Sequence, residues 1–222
     1  MADKTQITYK SELARKSIHL SSLGIPFVYL RIPHETGLAI LIAMTLLSVT
    51  IDAAMHYHTP TRSLMFKVVG PLLRGHERQR DRFLLTGASW VLIAALITLA
   101  VFPTIVAVTA FTILIVSDTF AALVGRRFGR QPFLDKSVVG TVTFIMTAWV
   151  VVLFYDVVYS LPWTFLVAGA VGSVVGGIIE AGSIRLRLDD NLSIPFSIAV
   201  TMMIVAWLTE LLLLPNFLDY VP

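Results

Sequence analysis

Apolar residues run along this chain in long blocks separated by short polar connections. The blocks are Ile18–Ile32, Thr36–Met55, Leu84–Phe102, Thr104–Gly125, Val139–Leu161, Trp163–Ala181 and Leu192–Leu214. Most are roughly 18 to 23 residues long with at most one or two charges, the length a helix needs to cross the hydrocarbon of a bilayer. They predict seven transmembrane helices. The first block is the shortest and carries Pro26, which lacks an N–H and predicts a kink.

Lysine and arginine follow the same division. Lys4, Lys10, Arg15 and Lys16 precede or open the first block. Arg62, Lys67, Arg74, Arg78, Arg80 and Arg82 fill the connection after the second block. Arg126, Arg127, Arg130 and Lys136 follow the fourth, and Arg185 and Arg187 the sixth. Arg31 alone falls on the other side. Cytoplasmic connections collect positive residues, so the expected topology is N-in, C-out. Adding or removing one span would scramble this alternation. The expected home is a plasma (inner) membrane, with the charged face in the cytoplasm.

Composition agrees. Of 222 residues 56% are hydrophobic and 14% charged, against about 25% charged in soluble domains. The expected fold is all-α and polytopic, a single integral-membrane domain over 1–222 embedded in a lipid bilayer. With no cysteine, disulfides, thiolate metal sites and a thiol nucleophile are excluded. The polar opening MADKTQITYKSELARK lacks the short apolar core and cleavage site of a signal peptide. The formal charge of +3 belongs to orientation, because no basic segment is interleaved with aromatics on a soluble surface, and nucleic acid is not an expected partner. In the longest connection, His56 to Phe83, Leu64, Phe66, Val68, Val69, Leu72 and Leu73 stand among basic residues. That pattern fits a surface-lying amphipathic helix as well as a plain loop.

Ionisable groups within a span are expensive, so each is a functional candidate. Asp118 lies about two turns before the cytoplasmic end of its block, in ILIVSDTFAALVGRRFG. Ala121, Ala122, Gly125 and Gly129 line up near it, small enough to admit a neighbouring helix or a ligand. Arg126, Arg127, Arg130 and Lys136 follow. A buried carboxylate beside a basic, glycine-containing loop suits a polyphosphate with Mg²⁺: the carboxylate holds the ion, and the cations neutralise phosphate oxygens. The plainer reading is helix packing with orientation anchors. Lys136, Ser137 and Gly140 precede the fifth block, where a helix start would aim N–H groups at an anion. Glu180 ends the sixth block, and Asp189, Asp190 and Asn191 open the seventh. One of these could be an N-cap, and three in a row is a surplus. Glu12, Arg15, Lys16 and His19, spaced i, i+3, i+4 and i+7, share one helical face, as an anchor with an internal ion pair or as part of a site. Asp52, His56 and His58 make a weak metal set. Glu210 lies on the opposite side and reads as structural. The strong clusters all fall at cytoplasmic ends of spans, where they can converge.

The stretches E-x-x-R-K-x-x-H (Glu12 to His19), S-D-T-F-A-A-L-V-G-R-R-F-G (Ser117 to Gly129), K-S-x-x-G-T (Lys136 to Thr141) and D-D-N-L-S-I-P (Asp189 to Pro195) resemble, in order and over nearly the whole chain, the dolichol kinase, phytol kinase and yeast-type diacylglycerol kinase family. These are CTP-dependent lipid kinases related to phosphatidate cytidylyltransferases. The family usually places a glutamate before the glycine of K-S-x-E-G, where this chain has Val139. The H-G-G-x-x-D-R signature of the cytidylyltransferases is absent. The resemblance implies phosphoryl transfer from a nucleoside triphosphate, CTP, to the hydroxyl of a membrane lipid alcohol: a polyprenol, a phytol-like prenyl alcohol or diacylglycerol. Asp118 is then the Mg²⁺ ligand, with Asp190, Asn191 and Glu180 completing the metal site or orienting the acceptor. Arg126, Arg127, Arg130, Lys136, Ser137 and Gly140 hold the triphosphate, and Arg15, Lys16 and His19 close over it. Asp118, Asp190 and Lys136 are the expected catalytic set. The rivals are a cytidylyltransferase, which releases pyrophosphate instead of CDP, and a carrier, which would put polar groups near the midplane. A homo-oligomer stays open.

Overall fold

The computed structural model describes residues 9–69, 83–186 and 189–220. Lys4, Leu72, Leu73, Arg74, Arg78, Arg80, Arg82 and Arg187 lie outside them, so those parts of the charge pattern and of the amphipathic stretch are not seen. The protein is an all-α, polytopic membrane protein. Its helices are α1 (Tyr9–Ser21), α2 (Gly24–Tyr29), α3 (His34–Tyr57), α4 (Thr59–Val69), α5 (Gly87–Val101), α6 (Thr104–Phe128), α7 (Val138–Tyr159), α8 (Trp163–Leu186) and α9 (Asp190–Leu211). A two-residue hairpin, β1 (Pro132–Phe133) and β2 (Lys136–Ser137), lies between α6 and α7. Helices α3, α6, α7, α8 and α9 are long and apolar enough to cross a membrane.

Helix α6 is the axis of the bundle. It packs against α1, α7 and α9, and from Ile105 to Ile115 every side chain is buried. A helix that is apolar all round belongs inside. Phe111, Phe144, Tyr155 and Phe165 fill the space around it. The outward faces of the other helices carry Leu46, Leu47, Met146, Val150, Val157 and Trp207, all exposed. Water would penalise so much apolar surface, and a bilayer does not.

Two expected spans need correction. The first, Ile18–Ile32, is not one helix. It breaks at Ser22–Leu23, where the α1 ladder gives way to three-residue turn bonds, Ser22 N–H to the His19 carbonyl (3.0 Å) and Leu23 N–H to the Leu20 carbonyl (3.1 Å). The cause is Pro26 four residues on, whose ring clashes with the carbonyl of residue i−4, here Ser22. The third span is a helix of 15 residues, shorter than the block that predicts it. Each remaining block coincides with one helix. In the amphipathic connection, α4 is helical and carries Leu64 and Phe66, with the Arg62 guanidinium 5.0 Å from the Phe66 ring centre.

The two ends of the bundle differ. At one end the turn Phe217–Tyr220 packs Phe217 on Phe165 near the start of α8, and Thr164 Oγ1 donates to the Pro215 carbonyl at 2.7 Å. At the other end lie the end of α8, the start of α9, the hairpin and Arg126 of α6. The polar motifs gather there.

Candidate functional site

Helix α1 lays one face on α6. Glu12 and Lys16 are 6% and 5% exposed, which is uncommon for charged side chains unless they are paired. Lys16 Nζ donates to Asp118 Oδ2 at 2.5 Å and to the Asp118 carbonyl at 3.1 Å. His19 Nε2 stands 3.7 Å from the same carboxylate oxygen. One turn toward the start of α1, Glu12 accepts from Arg15 at 2.6 Å and faces Arg126 Nη1 at 3.9 Å. The four residues sharing a helical face thus form two rungs across to α6, one at Asp118 and one at Arg126. Asp118 lies ten residues before Phe128, about 15 Å along the helix.

The small residues below Asp118 admit a helix. A Cβ on Gly125 would stand 3.1 Å from Gly140 Cα, and one on Gly140 would stand 3.3 Å from the Ala121 carbonyl. At Gly129 a Cβ would collide with the Gly125 carbonyl and with Ser137 Oγ. The chain therefore turns sharply out of α6 and folds back as the hairpin, which reverses through Leu134 at φ 50°. The Asp135 N–H donates to the Ala181 carbonyl at 2.9 Å and ties the hairpin to α8. This tether delivers Lys136, whose Nζ donates to Glu180 Oε1 at 2.8 Å and approaches Asp190 Oδ2 at 3.5 Å. Burial works against the Lys136 charge, but Asp190, Glu180 and Asp118 outweigh it and hold its pKa above the ordinary lysine range. Because Asp118 acts on Lys136 as well, the Lys16–Asp118 pair and the Lys136 cluster are electrostatic neighbours.

The surplus of acids opening α9 resolves into roles. Asp189 is the N-cap, accepting from the Asn191 N–H at 3.0 Å and from Asn191 Nδ2 at 2.8 Å. The Asn191 amide nitrogen is thereby engaged at the cap, and Asp190 turns toward Lys136. On α7 the N-cap is Ser137, whose Oγ accepts from the Gly140 N–H at 3.1 Å, while the Val138 N–H donates to the Gln131 carbonyl at 3.0 Å. A helix does start where the sequence places it, but its Val138 and Gly140 N–H groups have protein partners. Phosphate there would rely on side-chain cations. Arg127 stacks over Phe128 at 5.4 Å, and Arg130 is exposed beyond the end of α6.

Among the described residues several buried polar atoms of this end have no hydrogen-bond partner: Glu180 Oε2, Ser117 Oγ, Thr141 Oγ1, Ser193 Oγ, His19 Nε2 and Arg15 Nε. Buried polar atoms are normally satisfied, and orphans mark places where a ligand, ion or water completes the structure. Ser117, Thr141 and Ser193 lie within the motif stretches quoted from the sequence, but no role is assigned to them there. Asp52, by contrast, has protein partners on one carboxylate oxygen. Its Oδ2 accepts from the Thr86 N–H (2.8 Å), Thr86 Oγ1 (3.2 Å) and Ser89 Oγ (2.6 Å), anchoring α3 to the start of α5. His58 bonds to Thr61 at 2.9 Å and His56 packs on Phe83, so the weak metal set is not assembled.

Among the described residues no three His, Asp or Glu side chains are grouped to cage a metal. Mg²⁺ does not require such a cage, since it binds through one or two carboxylates with the substrate's phosphates and retained waters. The hard carboxylate oxygens of Asp118, Glu180 and Asp190, one of them buried and unpartnered, fit that mode.

No protein-family profile matches the chain, and no solved structure is significantly similar to it. It is similar to an uncharacterized protein of Rickettsia prowazekii, with 28% identity over 199 residues that cover 89% of this chain and 96% of that one. It is also similar to CTP-dependent diacylglycerol kinase 1 of Schizosaccharomyces pombe, with 27% identity over 216 residues covering 86% of this chain and 92% of the kinase. The chain is thus a polytopic membrane protein related, distantly but along most of its length, to a CTP-dependent lipid kinase.

Proposed function

We propose that this protein is a CTP-dependent kinase that phosphorylates the hydroxyl of a membrane lipid alcohol at the cytoplasmic face. The observation that carries the reading is the pair of buried ion clusters, Lys16–Asp118 and Lys136–Glu180–Asp190, assembled from five separate elements. Likeness to a kinase with CTP and diacylglycerol in its name supports the donor and makes diacylglycerol the first acceptor to try. A polyprenol and a phytol-like alcohol present the same hydroxyl on an apolar chain.

Phosphoryl transfer asks a protein mainly for positioning and charge neutralisation. Lys136 and Lys16 supply compact cations, and Arg15, Arg126, Arg127 and Arg130 supply guanidinium donors from the cytoplasmic side. When bound, Mg²⁺ held by Asp118, with Asp190 or Glu180, would neutralise charge on the triphosphate. The acceptor oxygen bonds to the γ-phosphorus, the bond to the β-phosphate oxygen breaks, and CDP leaves. The hydroxyl proton passes to a carboxylate of the site, with Asp190 the best placed because it is partly open. Asn191 acts through Asp189 by fixing the first turn of α9. The lipid tail stays among the apolar helices while the reaction occurs at their cytoplasmic ends.

The wild-type protein in detergent, given CTP, Mg²⁺ and diacylglycerol, should therefore yield phosphorylated lipid. Lys136→Met keeps the apolar stem and removes only the ammonium. Losing one charge-assisted phosphate contact costs about 1.5–3 kcal/mol, so the KM for CTP should rise about ten- to a hundredfold with the KM for lipid unchanged. Loss of lipid affinity alone would move Lys136 to the acceptor side. The proposed orientation places the N-terminus in the cytoplasm and the C-terminus outside. A reporter fused after Pro222 should then read as non-cytoplasmic, and a cytoplasmic reading would refute the topology.

A further inference from the structure

Glu12 has no part in the functions assigned above, yet among the described charged side chains of α1 it is the most deeply buried after Lys16. Its position is unusual. Its two carboxylate oxygens face two guanidinium groups from different helices. Oε1 accepts from Arg15 Nη2 at 2.6 Å on its own helix, and Oε2 stands 3.9 Å from Arg126 Nη1 on α6. An orientation anchor would point to solvent, whereas the Glu12 side chain is 9% exposed and those of Arg15 and Arg126 are 26% and 31% exposed. Two arginines brought together repel. A carboxylate buried between them offsets that repulsion, and its hydrogen bond fixes the direction of the Arg15 fork.

A guanidinium has five N–H donors, and the hydrogen bond to Glu12 uses one terminal nitrogen of Arg15. Arg15 Nε is buried without a partner. In the proposed orientation the pair lies on the cytoplasmic side of Lys16 and Asp118, one turn of α1 from the deeper rung.

Resting on the kinase reading, we propose that Glu12 is a positioning residue that holds Arg15 and Arg126, from two helices, as a single clamp for the nucleotide's phosphates. Glu12 itself touches no phosphate. It sets the spacing and orientation of the groups that do. It also makes nucleotide binding depend on the docking of α1 against α6, because half of the clamp comes from each helix.

The test is steady-state kinetics of full-length protein in lipid–detergent micelles with CTP, Mg²⁺ and diacylglycerol, for wild type, Glu12→Gln, Glu12→Asp, Arg126→Met and the Glu12→Gln/Arg126→Met pair. Glu12→Gln should raise the KM for CTP about tenfold and leave the KM for lipid unchanged, with kcat within a few-fold. Glu12→Asp, which keeps the charge at shorter reach, should fall between wild type and Gln. In the double variant the two effects should not multiply, since both disable one clamp. An unchanged KM for CTP in Glu12→Gln, or equal losses toward both substrates, would overturn the proposal. If Glu12→Gln fails to insert or fold, Glu12→Asp carries the test, and no rise in its KM for CTP would also overturn it. A wild-type protein that turns over no nucleotide would sink the kinase reading along with the clamp. Active wild type beside an unaffected Glu12 variant would sink the clamp alone.

Discussion

Asp118→Asn is expected to abolish phosphoryl transfer, and the same chain with Lys16→Met added is expected to regain stability but not activity. The first half follows from the chemistry. The substitution keeps size and removes the charge proposed to hold Mg²⁺ on the triphosphate. A charge that stabilises the transferring group is worth about 10³-fold or more in kcat. The second half follows from the geometry. Asp118 is also the partner of Lys16, which is 5% exposed and donates to both the carboxylate and the carbonyl of that residue. Removing one member of a buried pair leaves an uncompensated charge and costs about 3–5 kcal/mol, whereas replacing both is often close to neutral. Thermal unfolding in detergent should therefore show a lower Tm for Asp118→Asn and recovery in the double variant, with neither turning over CTP. Asp118→Asn with wild-type activity would remove Asp118 from the reaction. A double variant no more stable than the single one would mean that the pair is not the source of the loss.

The second large effect concerns backbone contact. Gly129→Ala places a Cβ against the Gly125 carbonyl and Ser137 Oγ at distances real Cβ atoms do not tolerate. The carbonyl belongs to the last turn of α6, and the hydroxyl is the N-cap of α7, so neither yields easily. Overpacking of this kind costs about 1–3 kcal/mol. Lys136 precedes Ser137, so a displaced cap also moves the ammonium away from Glu180 and Asp190. Gly129→Ala should lower the Tm and raise the KM for CTP together. Gly24→Ala is the matched control. Nothing lies within 4 Å of its Cβ, and it should be neutral or slightly stabilising. Equal behaviour of the two variants would contradict the packing described for the hairpin.

Much of this was legible in the sequence because membrane-spanning helices announce themselves locally. Each needs an uninterrupted apolar stretch, and the stretches from Thr36, Thr104, Val139, Trp163 and Leu192 became α3, α6, α7, α8 and α9 within a few residues. Charges inside such stretches are costly enough to stand out, which is how Asp118 and Glu180 were found. Pro26 signalled a kink, and the break fell four residues earlier because the clash is with the carbonyl of residue i−4. Other features depend on contacts between distant segments. The hairpin at Pro132–Ser137 is held by the Ala181 carbonyl of α8, and no local pattern reveals that. Among Asp189, Asp190 and Asn191 any could have capped α9, and only the side-chain directions assign the cap to Asp189. Glu12 read as half of an i, i+3 ion pair until α6 brought Arg126 to its other oxygen. Asp52 looked like a metal candidate beside two histidines, yet its partners, Thr86 and Ser89, lie more than thirty residues away.

The central claim is that the γ-phosphoryl group of CTP moves to a lipid hydroxyl at this cluster. The most direct measurement uses purified protein, Mg²⁺ and a panel of lipid alcohols in two parallel reactions, one with CTP labelled in the γ-phosphate and one with CTP labelled in the α-phosphate. The account predicts that γ-label enters the lipid while α-label remains in CDP. Entry of α-label into the lipid with release of pyrophosphate would make the protein a cytidylyltransferase, and no transfer of either label to any acceptor would contradict the kinase reading.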